Sequence, residues 1–245
     1  ADADALVLRI ALDDQRVLGS AAHWRQEPGL LLNWRNDALP GSDHDAGFAC
    51  SVVDIPEADS VGWHITELAP YASELGWELI HHMDVMLCDD GAPGHVSDRN
   101  CPVIAADSGP CATMAWAYDK DARKPYRLPS DAGLRVGNGT RYKRLGLQIH
   151  YLLPPDRSAA ELAGECFSAG VRVSLTRRLR PHNAGAFGFI DGNTNVPAGE
   201  SEEFTSHLPF EKVNELLHTQ FDSFDGRVQL RHAHLHAHGH ATAVS

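Results

Sequence analysis

The chain has 245 residues with 21 basic and 33 acidic side chains, a formal net charge of −12, so the counterion-release attraction behind general nucleic-acid binding is absent. At 43% hydrophobic and 22% charged it can bury a core as one large domain or two smaller ones, and it is not disordered, collagenous or low-complexity. No apolar run approaches the ~18 to 20 residues of a bilayer span, and no basic amphipathic stretch marks an interfacial segment, so neither nucleic acid nor membrane insertion is expected.

Runs rich in β-formers and broken by Pro, Gly, Asp and Asn predict strands at 48–55, 62–68, 77–87, 145–153 and 171–175, an all-β signature. Residues 158–166 are a weaker helical candidate. A linker is expected at 177–184 (RRLRPHNA), where a basic cluster and Pro181 interrupt the pattern, with a boundary near residue 180. Phe210, Val213, Leu216 and Leu217 follow the i, i+3, i+4 spacing of an amphipathic helix over 210–217. No internal repeat is present.

The 5 Cys are too few for a small stapled scaffold, but Cys50, Cys88, Cys101 and Cys111 lie close enough for local bridges, with Cys166 apart. An oxidising compartment, secreted or lumenal, fits that grouping. An opening of Ala1-Asp2-Ala3 without Met fits a mature chain after signal-peptide removal, and equally a trimmed one. Asn138-Gly139-Thr140 matches the N-glycosylation acceptor pattern in a turn-like stretch, a signal that is frequent by chance.

The 15 histidines form three notable groups. In a strand over 145–153, Leu145, Leu147, Ile149, Tyr151 and Leu153 share an apolar face, so His150 points to the other face with Arg144 and Gln148. Alone, such a residue is more often structural than a ligand. His81 and His82 are adjacent, and adjacent strand residues point to opposite faces, so one ion could take both only at a bulge or a twisted strand end. The bland alternative is one ring packed and one solvated. Met83 beside them invites a thioether reading, although core packing is its commoner use. The third group, His232, His234, His236, His238 and His240, falls on one face if 231–241 is a strand. A packed core would not tolerate that face, whereas a metal site or a nonspecific metal-binding edge would.

Taken together these residues resemble the copper type II, ascorbate-dependent monooxygenases, the family of the peptidylglycine hydroxylating and dopamine β-monooxygenases. The resemblance runs through His64-Ile65-Thr66, His81-His82-Met83-Asp84-Val85, Cys88, Ala115-Trp116-Ala117, Leu128-Pro129, Ala132-Gly133-Leu134, Leu147-Gln148-Ile149-His150-Tyr151 and the His-x-His run, over about residues 45 to 240 with order and spacing preserved. It implies two β-sandwich, jelly-roll-like domains with one or two short helices, the first over 1–180 and the second over 181–245, facing each other across a solvent-filled cleft with one copper each. It also implies that His81, His82 and His150 hold the electron-donating copper. His234 and His236 match the oxygen-activating one, because Gly239 then follows the second His by three, although neighbouring pairs of the run remain possible. The family's disulfides carry over as Cys50 with Cys101 and Cys88 with Cys111, leaving Cys166 without its family partner.

In the family, ascorbate reduces both ions, one copper activates O₂ for hydroxylation of a C–H bond, and the other supplies the second electron. The chain is therefore expected to be an oxidoreductase acting with O₂ on a small molecule or peptide, possible also as a subunit of a larger assembly. One departure stands out: the family's second copper also takes a Met from a later strand, and here the 3 Met are Met83, Met86 and Met114, all in the first domain. The second domain is therefore expected to be incomplete, either because the sequence is a fragment or because this relative lacks the third ligand. A noncatalytic copper-binding or structural relative is the rival expectation. A zinc hydrolase is disfavoured, since no His-Glu-x-x-His is present.

Overall fold

The computed structural model describes residues 5–18, 30–31, 46–57, 61–92, 97–98, 109–111, 113–119, 123–152, 154, 156–157, 159–162, 165–186, 200–201, 203, 205, 207–220 and 228–230. Two compact units divide between Ala184 and Gly185.

The first unit is built from two sheets. One runs β12-β9-β4-β11-β1-β2, comprising His182–Ala184, Ala132–Val136, Trp63–Ala72, Cys166–Thr176, Ala5–Leu18 and Leu30–Leu31, with β8 (Tyr126–Arg127) paired to β4. The other runs β6-β3-β10-β5-β7, comprising Ser97–Asp98, Ala46–Asp54, Arg144–Leu152, Ile80–Cys88 and Thr113–Asp119. Ile10, Ile65, Leu68, Val171 and Val173 from the first sheet share one core with Met83, Val85, Leu145, Leu147 and Ile149 from the second, each fully buried. This is the face-to-face packing of a β-sandwich. Each such side chain contributes roughly 1.5 to 3 kcal/mol of transfer free energy, and the all-β expectation holds.

Period-2 alternation decides what lies on the other face of the five-stranded sheet. Met83, Val85 and Leu87 of β5 point into the core, so His82, Asp84 and Met86 point away from it. Across β10 the cross-strand partners are His150 opposite His82, Gln148 opposite Asp84 and Gly146 opposite Met86. Cys50, Val52, Cys88, Ala92 and Cys111 make a smaller buried cluster with Met86 against it, which runs from Cys50, opposite Gln148, to Cys88 at the end of β5. Cys88 and Cys111 form a disulfide. Cys101, the expected partner of buried Cys50, lies outside the described residues.

Three readings of the sequence need correction. Residues 77–79 are not strand but the end of a short helix α1, Glu74–Leu79, and β5 starts at Ile80. Ser73 caps that helix: its hydroxyl accepts the Gly76 N–H at 3.2 Å and the Ser168 N–H of β11 at 3.1 Å, which fixes the helix to the first sheet. Among the described residues of the 158–166 segment, Ala159–Leu162 form the helix α2, whereas Cys166 already belongs to β11. Of the stretch expected to be a linker, 177–184, the last three residues form β12, His182–Ala184, which pairs in parallel with β9.

In the second unit the expected amphipathic helix is present as α3, Phe210–Gln220. Lys212 and Glu215 pair one turn apart at 2.7 Å on its surface, and Leu217 is buried. No described helix is long and apolar enough to cross a membrane.

Candidate metal centre

The conflict between His81 and His82 is resolved in the backbone. Along β10 and β5, His150 pairs with His82, but Tyr151 pairs with Ile80, so His81 is the extra residue of a β-bulge. A bulge lets two consecutive side chains leave the regular alternation. The strand is also newly begun there, since α1 ends at Leu79. As a result the three imidazoles pack edge to face, with ring centroids 5.0 Å apart for His82 and His150, 5.2 Å for His81 and His150, and 5.4 Å for His81 and His82.

His150 is 3% exposed, while His81 and His82 are half-buried, so the trio is open on the side of β5. His150 Nδ1 and His82 Nε2 lie 3.2 Å apart. Two imidazole nitrogens each about 2.0 to 2.1 Å from one ion are separated by roughly that distance. The other nitrogen of His82, Nδ1, is 3.1 Å from Oδ2 of Asp84, the carboxylate contact typical of a ligating histidine. Among the described residues no three His, Cys, Asp or Glu side chains converge on one point as they stand. The His82 and His150 nitrogens stand at a two-ligand spacing, and the His81 ring lies beside them with its centroid 5.4 and 5.2 Å from theirs. Neutral imidazoles suit copper, so the residues present fit that ion.

Met83 is not part of this group, being fully buried in the core on the opposite face of the strand. Asp84 was not singled out from the sequence, although its place two residues after His82 on the same strand was the available signal. His232, His234, His236, His238 and His240 lie outside the described residues.

The profile of the copper type II ascorbate-dependent monooxygenase N-terminal domain matches residues 32–158, just over half of the chain. The chain belongs to the copper type II ascorbate-dependent monooxygenases. Within that family it is 27% identical over 214 residues to a tyramine beta-hydroxylase of Caenorhabditis briggsae, an alignment covering 84% of this chain and 34% of that protein. It is 29% identical over 150 residues to the dopamine beta-hydroxylase of Homo sapiens, covering 56% and 21%, respectively. It is 31% identical over 175 residues to the peptidyl-glycine alpha-amidating monooxygenase of Mus musculus, covering 70% and 16%. The chain therefore spans at most about a third of the length of these relatives. The stretch matched by the family profile contains all three histidines of the trio.

A fourth histidine of the monooxygenase fold has a different role. His64 on β4 is fully buried, accepts the Arg180 N–H at Nδ1 (2.9 Å) and donates from Nε2 to Asn183 Oδ1 (2.9 Å). Arg180 in turn donates to the carbonyls of Pro129 and Ala132 at 2.7 and 2.6 Å. These bonds are what hold 180–184 to the sheet. Burial lowers the His64 pKa below its ordinary 6.5, the Asn183 hydrogen bond opposes that, and the charges of Arg135 and Arg180 add to the lowering. The unfolded chain thus takes up a proton near pH 6.5 that the folded chain refuses until lower pH. The stability linked to neutral His64 is complete above about pH 6.5 and is lost as pH falls through the folded value, at no more than about 1.4 kcal/mol per pH unit. Denaturation midpoints measured from pH 7.5 to 5 should decline more steeply in the wild type than in His64→Gln, which does not titrate. Parallel declines would exclude His64 as the group.

Proposed function

We propose that the chain is the copper-carrying part of a monooxygenase that hydroxylates a C–H bond of a small molecule or peptide, using O₂ and ascorbate. The observation that carries this reading is the bulge at His81, which brings His81, His82 and His150 into one cluster in a chain of this family. In this reading the first unit, through Ala184, is the electron-donating domain, and the residues from Gly185 on belong to the oxygen-activating one, with His234 and His236 as its histidine ligands. The disulfide between Cys88 and Cys111, with the family membership, supports a secreted or lumenal setting.

Copper held by the trio would pass single electrons by cycling between Cu(I) and Cu(II). The chain's own contribution is placement. His150 is fixed by the centre of its sheet, with β3 on one side and β5 on the other. His82 is held from behind by Asp84, and His81 is presented by the bulge. The half-buried His81 and His82 leave the site open toward solvent, as a reductant requires, while the fully buried layer of Met83, Val85, Leu147 and Ile149 beneath excludes water from the other side.

The test is copper stoichiometry together with ascorbate-dependent oxygen uptake in the full-length protein. His150→Ala should lose one copper per chain and abolish coupled turnover, and His234→Ala with His236→Ala should lose the other. Unchanged stoichiometry in His150→Ala overturns the assignment of the first site. Copper at the trio with no ascorbate-dependent oxygen uptake would instead support the noncatalytic copper-binding relative.

A further inference from the structure

We propose that Asn138 is an N-glycosylation site, its side-chain amide carrying an oligosaccharide added as the chain enters the secretory pathway. The site rests on the secreted or lumenal setting proposed above and adds to it the one atom modified, Asn138 Nδ2.

Asn138 is the only asparagine of the sequence with Ser or Thr two residues on, in Asn138-Gly139-Thr140. A chance triplet can fall anywhere, in a strand or a core. This one falls in the turn that carries the chain from β9 of one sheet to β10 of the other, at an end of the sandwich. The turn is closed by its own hydrogen bonds. Gly137 N–H donates to the Tyr142 carbonyl at 2.8 Å, and the Thr140 N–H and hydroxyl both donate to the Gly137 carbonyl, at 3.1 and 2.9 Å. The Thr140 hydroxyl also accepts the Tyr142 N–H at 3.1 Å. Left-handed φ angles of +79° and +78° fall on Gly137 and Gly139, which adopt them without steric cost, so the glycines on either side of Asn138 build the reversal. Val136 and Tyr142 anchor its base in the core, and the Asn138 backbone rests on Gly62, where a Cβ would collide with the Asn138 carbonyl oxygen. Asn138 is half-buried on this fixed platform, Gly139 and Arg141 are exposed, and Gly139 presents no side chain to an attached sugar.

The transfer forms a bond between Asn138 Nδ2 and the anomeric carbon of the first sugar. It breaks that carbon's bond to a phosphate oxygen of a lipid diphosphate oligosaccharide, the donor, and Nδ2 gives up one proton. The side-chain carbonyl and the second amide N–H are retained, so hydrogen bonding by the Asn138 side chain survives the modification. With the Thr140 hydroxyl committed inside the folded turn, the transfer belongs to the nascent chain.

The surroundings of the turn fit this role. Lys143 N–H, at its foot, donates to the Cys88 carbonyl at 2.8 Å, which fastens the turn to the Cys88–Cys111 disulfide, itself a product of an oxidising compartment. His150 lies toward the other end of β10, about 20 Å beyond Arg144 at the usual rise per residue. An oligosaccharide at Asn138 therefore stands clear of the histidine trio.

The experiment takes the full-length protein, purified from the cells that make it, with and without peptide N-glycosidase in heavy-oxygen water, and reads residue 138 by peptide mass spectrometry. Enzymatic release turns a glycosylated Asn into Asp carrying one heavy oxygen, and most chains should show this at 138. Asn138→Gln should lose the sugar, whereas Thr140→Ser, which keeps both the triplet and the hydroxyl of the turn, should retain it. Unmodified Asn138 in a protein whose Cys88–Cys111 disulfide is formed overturns the site and leaves the secreted or lumenal setting standing. Unmodified Asn138 together with reduced Cys88 and Cys111 overturns both. Asp at 138 already in the untreated sample, without heavy oxygen, marks spontaneous deamidation through the Gly139 nitrogen and equally overturns the site. The wild-type peptide decides between these outcomes whether or not either variant folds.

Discussion

Gly133→Ala is expected to destabilise the first unit by about 3 kcal/mol, the upper end of what overpacking a filled core costs. A Cβ at this position of β9 would lie 2.6 Å from Cβ and Cγ of His64 and 2.8 Å from its Nδ1. His64 cannot move aside cheaply. It is fully buried and both ring nitrogens are committed, one to the Arg180 N–H and the other to Asn183. Displacing the ring would leave that N–H without its acceptor and would loosen β12, which pairs with β9 at this same residue, Asn183 opposite Gly133. The loss should appear in equilibrium denaturation, and the His64 titration followed by NMR should move back toward 6.5 as the ring leaves its buried position. A loss below about 1 kcal/mol with the His64 titration unmoved would show that the strand accommodates the methyl elsewhere.

How much of this was legible in the sequence depended on the range of the interaction concerned. The alternation of Leu145, Leu147, Ile149 and Tyr151 is a local property, and all four are fully buried, with His150 on the opposite face as period 2 demands. The same rule exposed the problem at His81 and His82 and named a bulge as one solution, which is the one the backbone adopts. The start of β5 was misread because α1 is six residues long and its apolar positions run straight into the strand; a single turn and a half has too few residues for its period to differ from that of a buried strand. Its real signal was the Ser73 cap, three residues before Gly76. β12 was invisible for another reason. Three exposed or half-buried residues, His182–Ala184, carry no strand pattern, and they are held by His64 from 116 to 119 positions away.

Replacing both Cys88 and Cys111 by Ala should cost about 3 kcal/mol, the loop-closure entropy released when a link across 23 residues is removed from the unfolded chain. Both half-cystines are almost wholly buried in the small cluster with Cys50, Val52 and Ala92, so the native state also loses some packing. The native geometry should nevertheless persist, because the same corner is tied a second time. Arg144 bonds the Asp54 carboxylate at 2.6 Å and the Asp90 carbonyl at 2.8 Å, and also reaches the carbonyl of Ala92. Adding Arg144→Ala to the double variant should therefore cost more than Arg144→Ala does alone, since each tie limits the damage from losing the other. The copper site should be spared. Cys88 is at the opposite end of β5 from His82, about 20 Å away at the usual rise per residue, and the core layer of Met83, Val85, Leu145, Leu147 and Ile149 beneath the strands contains neither cysteine. Chemical denaturation should thus show the loss of stability while copper affinity at the trio stays within a few-fold of the wild type. A tenfold or greater loss of copper in a variant that remains folded would mean that the disulfide sets the position of the histidines along β5 rather than only constraining the unfolded chain.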